Sequence, residues 1–201
     1  VDEEGNPTET GYLVHLPPIA PGMLRGLCKA DARYVKTYWS QYHNQYYFTA
    51  DRALRAPFGD IRITGRVDEV MKVAGHRLSA AEIEEVINTH KLVAESAVVP
   101  KPHELKGEVP VAYVILQDGV STSQDQEQEL EDELKALVRE KIGPTPIPEW
   151  IIFVPDLPKT RSGKIMRRVL KSLLSNAPIG DTSTLLNPEV VEDLKDRVGY
   201  T

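Results

Sequence analysis

Val70-Met71-Lys72-Val73-Ala74-Gly75-His76-Arg77-Leu78-Ser79-Ala80-Ala81-Glu82 is the stretch at which the chain changes character. Val70 to Val73 and His76 to Leu78 are short β-prone runs flanking Ala74-Gly75, which predicts a tight hairpin. Ser79-Ala80-Ala81-Glu82 has the spacing of a capping box, and Ile83, Val86 and Ile87 follow at i, i+3 and i+4. A helix is therefore expected from about Ala80 to His90. A hairpin feeding a helix is the beginning of a small α+β unit.

Toward the C-terminus the pattern continues. Ala94 to Val99 and Val109 to Leu116 are β-branched runs bounded by Pro and Gly, hence buried strands. A polar loop, Ser121 to Gln128, leads into a second helix with Leu130, Leu134, Leu137 and Val138 on one stripe, stopped by Gly143-Pro144. Trp150 to Val154 is a last strand. Pro158-Lys159-Thr160-Arg161-Ser162-Gly163-Lys164-Ile165-Met166-Arg167-Arg168 follows, with Ile165, Val169, Leu170, Leu173 and Leu174 at helical spacings. This places Lys164 where a loop becomes a helix. An ammonium there is a compact point charge with three donors, suited to phosphate or carboxylate oxygens as charge builds on them, although a solvated basic helix start has the same sequence. Beyond Ser175 periodicity is lost until Val190 to Val198, and this tail is expected to wrap the surface.

Toward the N-terminus, residues 1 to 66 read as turns between short strands, Tyr12 to Leu16, Tyr46 to Thr49 and Asp60 to Thr64, with one helix at Asp31 to Tyr38. Such a segment has few long elements and is expected to be poorly ordered or loosely packed without a larger body beside it. Asp51 follows an aromatic strand, at its end, where a carboxylate can accept hydrogen bonds from two vicinal hydroxyls; a turn-forming Asp is the alternative. In Thr64-Gly65-Arg66-Val67-Asp68-Glu69 a glycine precedes an arginine and an acidic pair, which by itself is a surface connection.

Composition narrows the classes. The chain has 201 residues, 41% of them hydrophobic, enough to bury a core. With 24 Lys+Arg against 30 Asp+Glu there is no broad positive field for nucleic acid. The six basic residues between Lys159 and Lys171 have no interleaved aromatic side chains on which bases could stack. A single cysteine, Cys28, excludes an intrachain disulfide, and five scattered histidines show no ligand spacing, so no metal site is expected. No apolar run has the length of a membrane span and the acidic start is unlike a signal peptide, so a cytoplasmic protein is expected. The opening, without Met and inside a turn-like stretch, suggests a piece of something longer.

Pro158 to Arg168 resembles the last core motif of the adenylate-forming acyl-CoA synthetases, in its acetyl-CoA synthetase branch. Tyr47-Phe48-Thr49-Ala50-Asp51 resembles that family's Tyr-x-x-Gly-Asp motif with Ala50 in the glycine's place; Thr64 to Glu69 resembles its hinge, and Ala74 to Ser79 its mobile loop. Gly180-Asp181-Thr182-Ser183-Thr184-Leu185 resembles a stretch of the acetyl and propionyl enzymes. The resemblance implies that Lys164 contacts the carboxylate and α-phosphate during adenylation, and that Asp51, Arg66 and Arg77 bind ATP or AMP. It also implies that Gly75 lines the pantetheine tunnel, that Arg139 contacts the CoA 3′-phosphate and that Asp68 is the hinge pivot.

Further implications are the substrates ATP, coenzyme A and acetate or another short-chain carboxylate, with Mg2+, and reversible acylation of Lys164 by a protein lysine acyltransferase and deacylase. Residues 1–66 would be the β-rich end of a large adenylating N-terminal domain. Residues 67–201 would be its mobile C-terminal domain, a short mixed sheet with packed helices, hinged near 66–69. Such a chain is catalytically incomplete by itself. Another adenylate-forming ligase, medium-chain or aryl, and a free-standing interaction or lysine-modification module are the alternative readings.

Overall fold

The computed structural model describes residues 1–67, 70–120 and 122–199. It divides into two compact units, Val1–Glu69 and Val70–Thr201. Asp68, the expected pivot, lies outside the described residues.

The first unit is a three-stranded antiparallel sheet in the order β1 (Thr10–His15), β2 (Tyr47–Arg55), β3 (Ile61–Arg66), with helix α1 (Asp31–Tyr38) and a 3-10 turn (Ser40–Tyr42) between β1 and β2. Its interior is aromatic: Tyr38 stacks on Tyr47 and Trp39 meets the same ring edge-on, while Tyr42 packs against Tyr46 and Phe48. Among the described hydrophobic residues of this unit only Tyr42 and Tyr47 are buried, and Phe58, Ile61 and Ile63 are exposed. The unit is thus held by ring contacts and sheet hydrogen bonds more than by a closed apolar core.

The second unit is α+β. Strands β4 (Val70–Val73), β5 (His76–Ser79), β6 (Val93–His103) and β7 (Gly107–Leu116) lie in the order β5-β4-β7-β6, and β8 (Trp150–Phe153) runs parallel to β7 over Val111 to Val114. The sheet is therefore mixed. Alternation along β6 and β7 sends side chains to two cores. Val98, Ala112 and Val114 meet helices α2 (Ala80–Ile87) and α3 (Gln124–Lys141) through Ile83, Ile87, Leu130, Leu134 and Val138. Ala97, Val99, Val111 and Tyr113 meet helices α4 (Arg167–Leu174) and α5 (Glu189–Val198) through Val169, Leu170, Leu173 and Leu194. Tyr113 is fully buried, and desolvation pushes its phenol above the ordinary tyrosine range.

Several expectations are corrected. β6 runs on through Pro100, which was read as its boundary, and through Pro102 to His103; β6 is an edge strand, where a missing N–H is tolerated. Helix α2 ends at Ile87, and Ser79 occupies its N-cap position without a side-chain cap hydrogen bond. The loop expected over Ser121 to Gln128 is helical from Gln124, because Ser123 and Gln126 form a reciprocal capping box. Helix α4 begins only at Arg167, which removes Ile165 from its apolar stripe. Asp51 lies within β2, not at a strand end.

Candidate functional site

Lys164 stands on a miniature hairpin. Lys159 and Ile165 form an antiparallel bridge, the Thr160 N–H donates to Lys164 O at 2.8 Å, and the Met166 N–H donates to Pro158 O at 2.7 Å. The loop closes as the Gly163 N–H donates to Thr160 O, with Gly163 at φ +80°, the left-handed geometry of a three-residue hairpin loop that favours glycine. Thr160 Oγ1 accepts the Lys164 N–H at 3.1 Å and shares a hydrogen bond with Ser162 Oγ. The tip is exposed from Arg161 to Lys164, and the Lys164 ammonium forms no ion pair among the described residues. Backbone hydrogen bonds, not a helix start, therefore set where this charge is held.

The base of the hairpin is fixed by charge. Lys159 Nζ pairs with Glu95 at 2.7 Å and with Asp156 at 3.3 Å. Burial pushes the Asp156 carboxyl up, but hydrogen bonds from the Leu157 N–H and the Asn187 amide, with the Lys159 charge, outweigh it and hold it below the usual carboxylate range. The hydrogen bond to Glu95, chiefly, holds the Lys159 ammonium above its usual range. Stabilisation from Asp156 is thus present above the ordinary carboxylate range and lost as pH falls through its depressed value, while that from Lys159 is lost only as pH rises through its raised one. Asp156→Asn is expected to lower the thermal midpoint by a constant amount above the ordinary carboxylate range, a deficit that closes as pH falls through the depressed value of Asp156. A deficit that persists at low pH would show that the carboxylate charge is not what matters.

In the first unit, Asp51 and Arg66 are cross-strand partners on β2 and β3, and Arg66 Nη1 lies 3.2 Å from Asp51 Oδ1. Register shifts on both sides of β2 mark bulges around Asp51, the kind of irregularity that re-aims a side chain. A carboxylate with one oxygen on a guanidinium keeps acceptor capacity for two neighbouring hydroxyls. Ala50, in the place of the family's glycine, has φ +63°, a strained conformation for a residue with a Cβ. Ala50→Gly is expected to stabilise this unit by about 0.5–1 kcal/mol, read in urea from Trp39 emission in a Trp150→Phe background. An unchanged or lower midpoint would mean that the strain is already relieved by the bulge.

Ala74 and Gly75 form the two-residue turn between β4 and β5, both at positive φ, +48° and +83°. A Cβ on Gly75 would meet nothing within 4 Å, so here the conformation, not crowding, asks for glycine. A cleft of about 470 Å³ opens beside the turn, lined by Val73, Ala74, Val109, Pro110, Ile147 and Pro148 among others. Arg77 is exposed on β5 and faces Lys72 across the hairpin. Arg139 is exposed in the last turn of α3, so it belongs to the helical layer on one face of the sheet, whereas the Lys164 hairpin feeds α4 on the other. Among the described residues no three His, Cys, Asp or Glu are grouped as metal ligands.

Two polar residues that the sequence did not single out are buried around the hairpin. Glu84 on α2 accepts the Val98 N–H at 2.7 Å and pairs with Arg167 at 2.7 Å. Asn187, in the segment before α5, bonds the hairpin's first arm. Glu84 reads in sequence as the polar face of a helix, and Asn187-Pro188 as a turn, so only the packing reveals them.

The known proteins agree with this architecture. Residues 82–164 match the AMP-binding enzyme C-terminal domain. The chain is 50% identical over 198 residues to an acetyl-coenzyme A synthetase of Pyrobaculum aerophilum, covering 97% of this chain and 29% of that protein. It is 49% identical over 201 residues to one from Rubrobacter xylanophilus, covering 98% and 30%. It thus spans about three-tenths of the length of these relatives. In structure it resembles the acetoacetyl-CoA synthetase of Streptomyces lividans, with a TM-score of 0.77 at 22% identity over 98% of this chain and 30% of the other. It also resembles an anthranilate CoA ligase in complex with anthranoyl-AMP, with a TM-score of 0.68 at 28% identity over 86% and 32%. By these comparisons, residues 82–164 match an AMP-binding enzyme C-terminal domain, and nearly the whole chain is similar to about three-tenths of acetyl-coenzyme A synthetases.

Proposed function

We propose that the chain serves a ligase that activates acetate, or another short-chain carboxylate, with ATP and passes the acyl group to coenzyme A. The observation that carries this reading is the exposed Lys164 ammonium, with no ion pair among the described residues, on a hairpin tip closed by backbone and short hydroxyl hydrogen bonds. In the first half-reaction a carboxylate oxygen attacks the α-phosphorus of ATP, the bond to pyrophosphate breaks, and acyl-AMP forms. Lys164 places its charge against the oxygens on which negative charge grows. Asp51, oriented by Arg66, accepts the ribose hydroxyls. In the second half the thiol of coenzyme A attacks the acyl carbon and AMP leaves.

Rotation near residues 66–69 exchanges the Lys164 hairpin for the Ala74-Gly75 turn, whose neighbouring cleft suits the narrow pantetheine arm. Arg77 serves the nucleotide phosphate and Arg139 the CoA 3′-phosphate, each as a guanidinium on an anion. The acyl group is assigned from the acetyl-CoA synthetase relatives, at up to 50% identity, over the anthranilate ligase at 28%. Acylation of Lys164 by a lysine acyltransferase, reversed by a deacylase, would remove the charge used in the first half.

The test is acetate-dependent exchange of labelled pyrophosphate into ATP by the longer enzyme that contains this chain, alongside residues 1–201 alone. Exchange by the longer enzyme and none by 1–201 supports the reading; acyl-AMP made by 1–201 alone, or no acetate-dependent exchange in either, overturns it.

A further inference from the structure

The Lys164 hairpin has a third strand that comes from far along the chain. Thr160 and Leu185 form an antiparallel bridge, and the Leu186 N–H donates to Lys159 O at 2.8 Å. Asn187 completes the attachment. Its Oδ1 accepts the Lys159 N–H at 3.0 Å, and its Nδ2 donates to Asp156 Oδ2 at 2.7 Å and to Leu157 O at 2.9 Å. It is only 8% exposed, so these bonds are not replaceable by water without rearrangement. Upstream, the same segment is held as Arg168 donates to the backbone oxygens of Ile179 and Asp181.

Beyond the Lys159 ion pairs with Glu95 and Asp156, the hairpin has little other anchorage. Leu157 and Met166 are buried at its base, Ile165 is partly buried, and residues 161 to 164 contribute nothing to the core. A two-stranded ribbon of this length is marginal by itself, and a third strand is what gives it a fixed orientation. The arm that Asn187 holds is the one that donates to and accepts from Lys164: Thr160 N–H to Lys164 O, and Lys164 N–H to Thr160 Oγ1. Displacement of that arm moves the ammonium with it.

We propose that Asn187 is a positioning residue for Lys164, and that the segment from Ile179 to Asn187 belongs to the adenylation machinery as the strap that holds the lysine hairpin in register. The proposal rests on the ligase reading above. Its consequence is a selective defect: the half-reaction that uses Lys164 falls, and the half that uses the Ala74-Gly75 turn does not.

The experiment is done on the longer enzyme. Asn187→Ala is expected to lower kcat of acetate-dependent pyrophosphate exchange by about 10- to 100-fold, the scale of a misplacement near 1 Å, with KM for ATP within about threefold. Thioester formation from supplied acetyl-AMP stays within about threefold. Leu194→Ala, a cavity in the core beneath α5, is the control for lost stability and leaves the ratio of the two halves unchanged.

Asn187→Asp alone sets two carboxylates against each other; combined with Asp156→Asn, the amide introduced at 156 donates to the carboxylate introduced at 187. The pair is expected to recover exchange by at least about fivefold over Asn187→Asp. Should Asn187→Ala fail to fold, this recovery decides alone, and its absence overturns the proposal. Equal loss in both halves, or no loss, overturns it as well. If Lys164→Ala leaves exchange intact, the ligase reading itself fails; if it abolishes exchange while Asn187→Ala does not, only the strap is refuted.

Discussion

Lys164→Ala in the longer enzyme is expected to lower acetate-dependent pyrophosphate exchange by about 10²- to 10³-fold, while thioester formation from supplied acetyl-AMP changes by less than about threefold. Negative charge on the α-phosphate oxygens grows as the carboxylate attacks, so an ammonium held against them is worth more in the transition state than with bound ATP. The loss therefore falls in kcat more than in KM. Lys164→Gln, which keeps the length and removes the charge, is expected to behave as alanine does. Lys164→Arg is expected to recover only part of the activity, because a planar fork does not occupy the place of a compact ammonium. Equal loss in both halves would point to a folding defect, and full activity in both would reduce the basic turn to solvated surface.

What the sequence made legible is what short-range pattern encodes. The β4–β5 hairpin follows from Ala74-Gly75, α1 from its own residues Asp31 to Tyr38, and α5 from the return of periodicity at Val190. The errors have local causes too. Helical spacing from Ile165 was coincidence, since Ile165 faces the core from a bridge with Lys159 rather than from α4. The first turns of α3 carry no apolar stripe because they are solvated, although the Ser123–Gln126 box was there to be read. Pro100 marked a strand end where an edge strand could absorb it.

The chemistry-bearing residues were legible by type, because a lysine after Ser-Gly or an aspartate after an aromatic strand is recognisable in one dimension. Their surroundings were not. Asn187 meets Leu157 and Lys159 across 30 and 28 residues, and Glu84 meets Arg167 across 83, separations at which one sequence carries no pairing signal.

Glu84→Ala is expected to cost about 3 kcal/mol and to lower the thermal midpoint by about 6–12 °C. Its carboxylate serves two sides of the second unit. From α2, on one face of the sheet, Oε1 accepts the Val98 N–H of edge strand β6, a donor that no further strand can satisfy. Around that edge comes Arg167, the first residue of α4 on the other face, whose Nη2 lies 3.0 Å from Oε1 and 2.7 Å from Oε2. Deleting the carboxylate strips a buried amide of its acceptor and a guanidinium of its bidentate partner at once. The Arg167 side chain is 28% exposed, so water recovers part of the second loss, which keeps the figure below that of a fully enclosed pair.

Glu84→Gln retains an acceptor for Val98 and is expected to cost about half as much, the difference measuring the ionic share. Glu84→Leu with Arg167→Met replaces the pair by apolar side chains of similar volume and is expected to recover stability relative to Glu84→Leu alone. These variants also separate stability from catalysis. Arg167 lies just beyond the hairpin, but the arm that fixes Lys164 is attached through Asn187, so Glu84→Gln is expected to lower the midpoint with the two half-reactions in their original ratio. A selective loss of adenylation in Glu84→Gln would place Arg167 alongside Asn187 in holding the lysine.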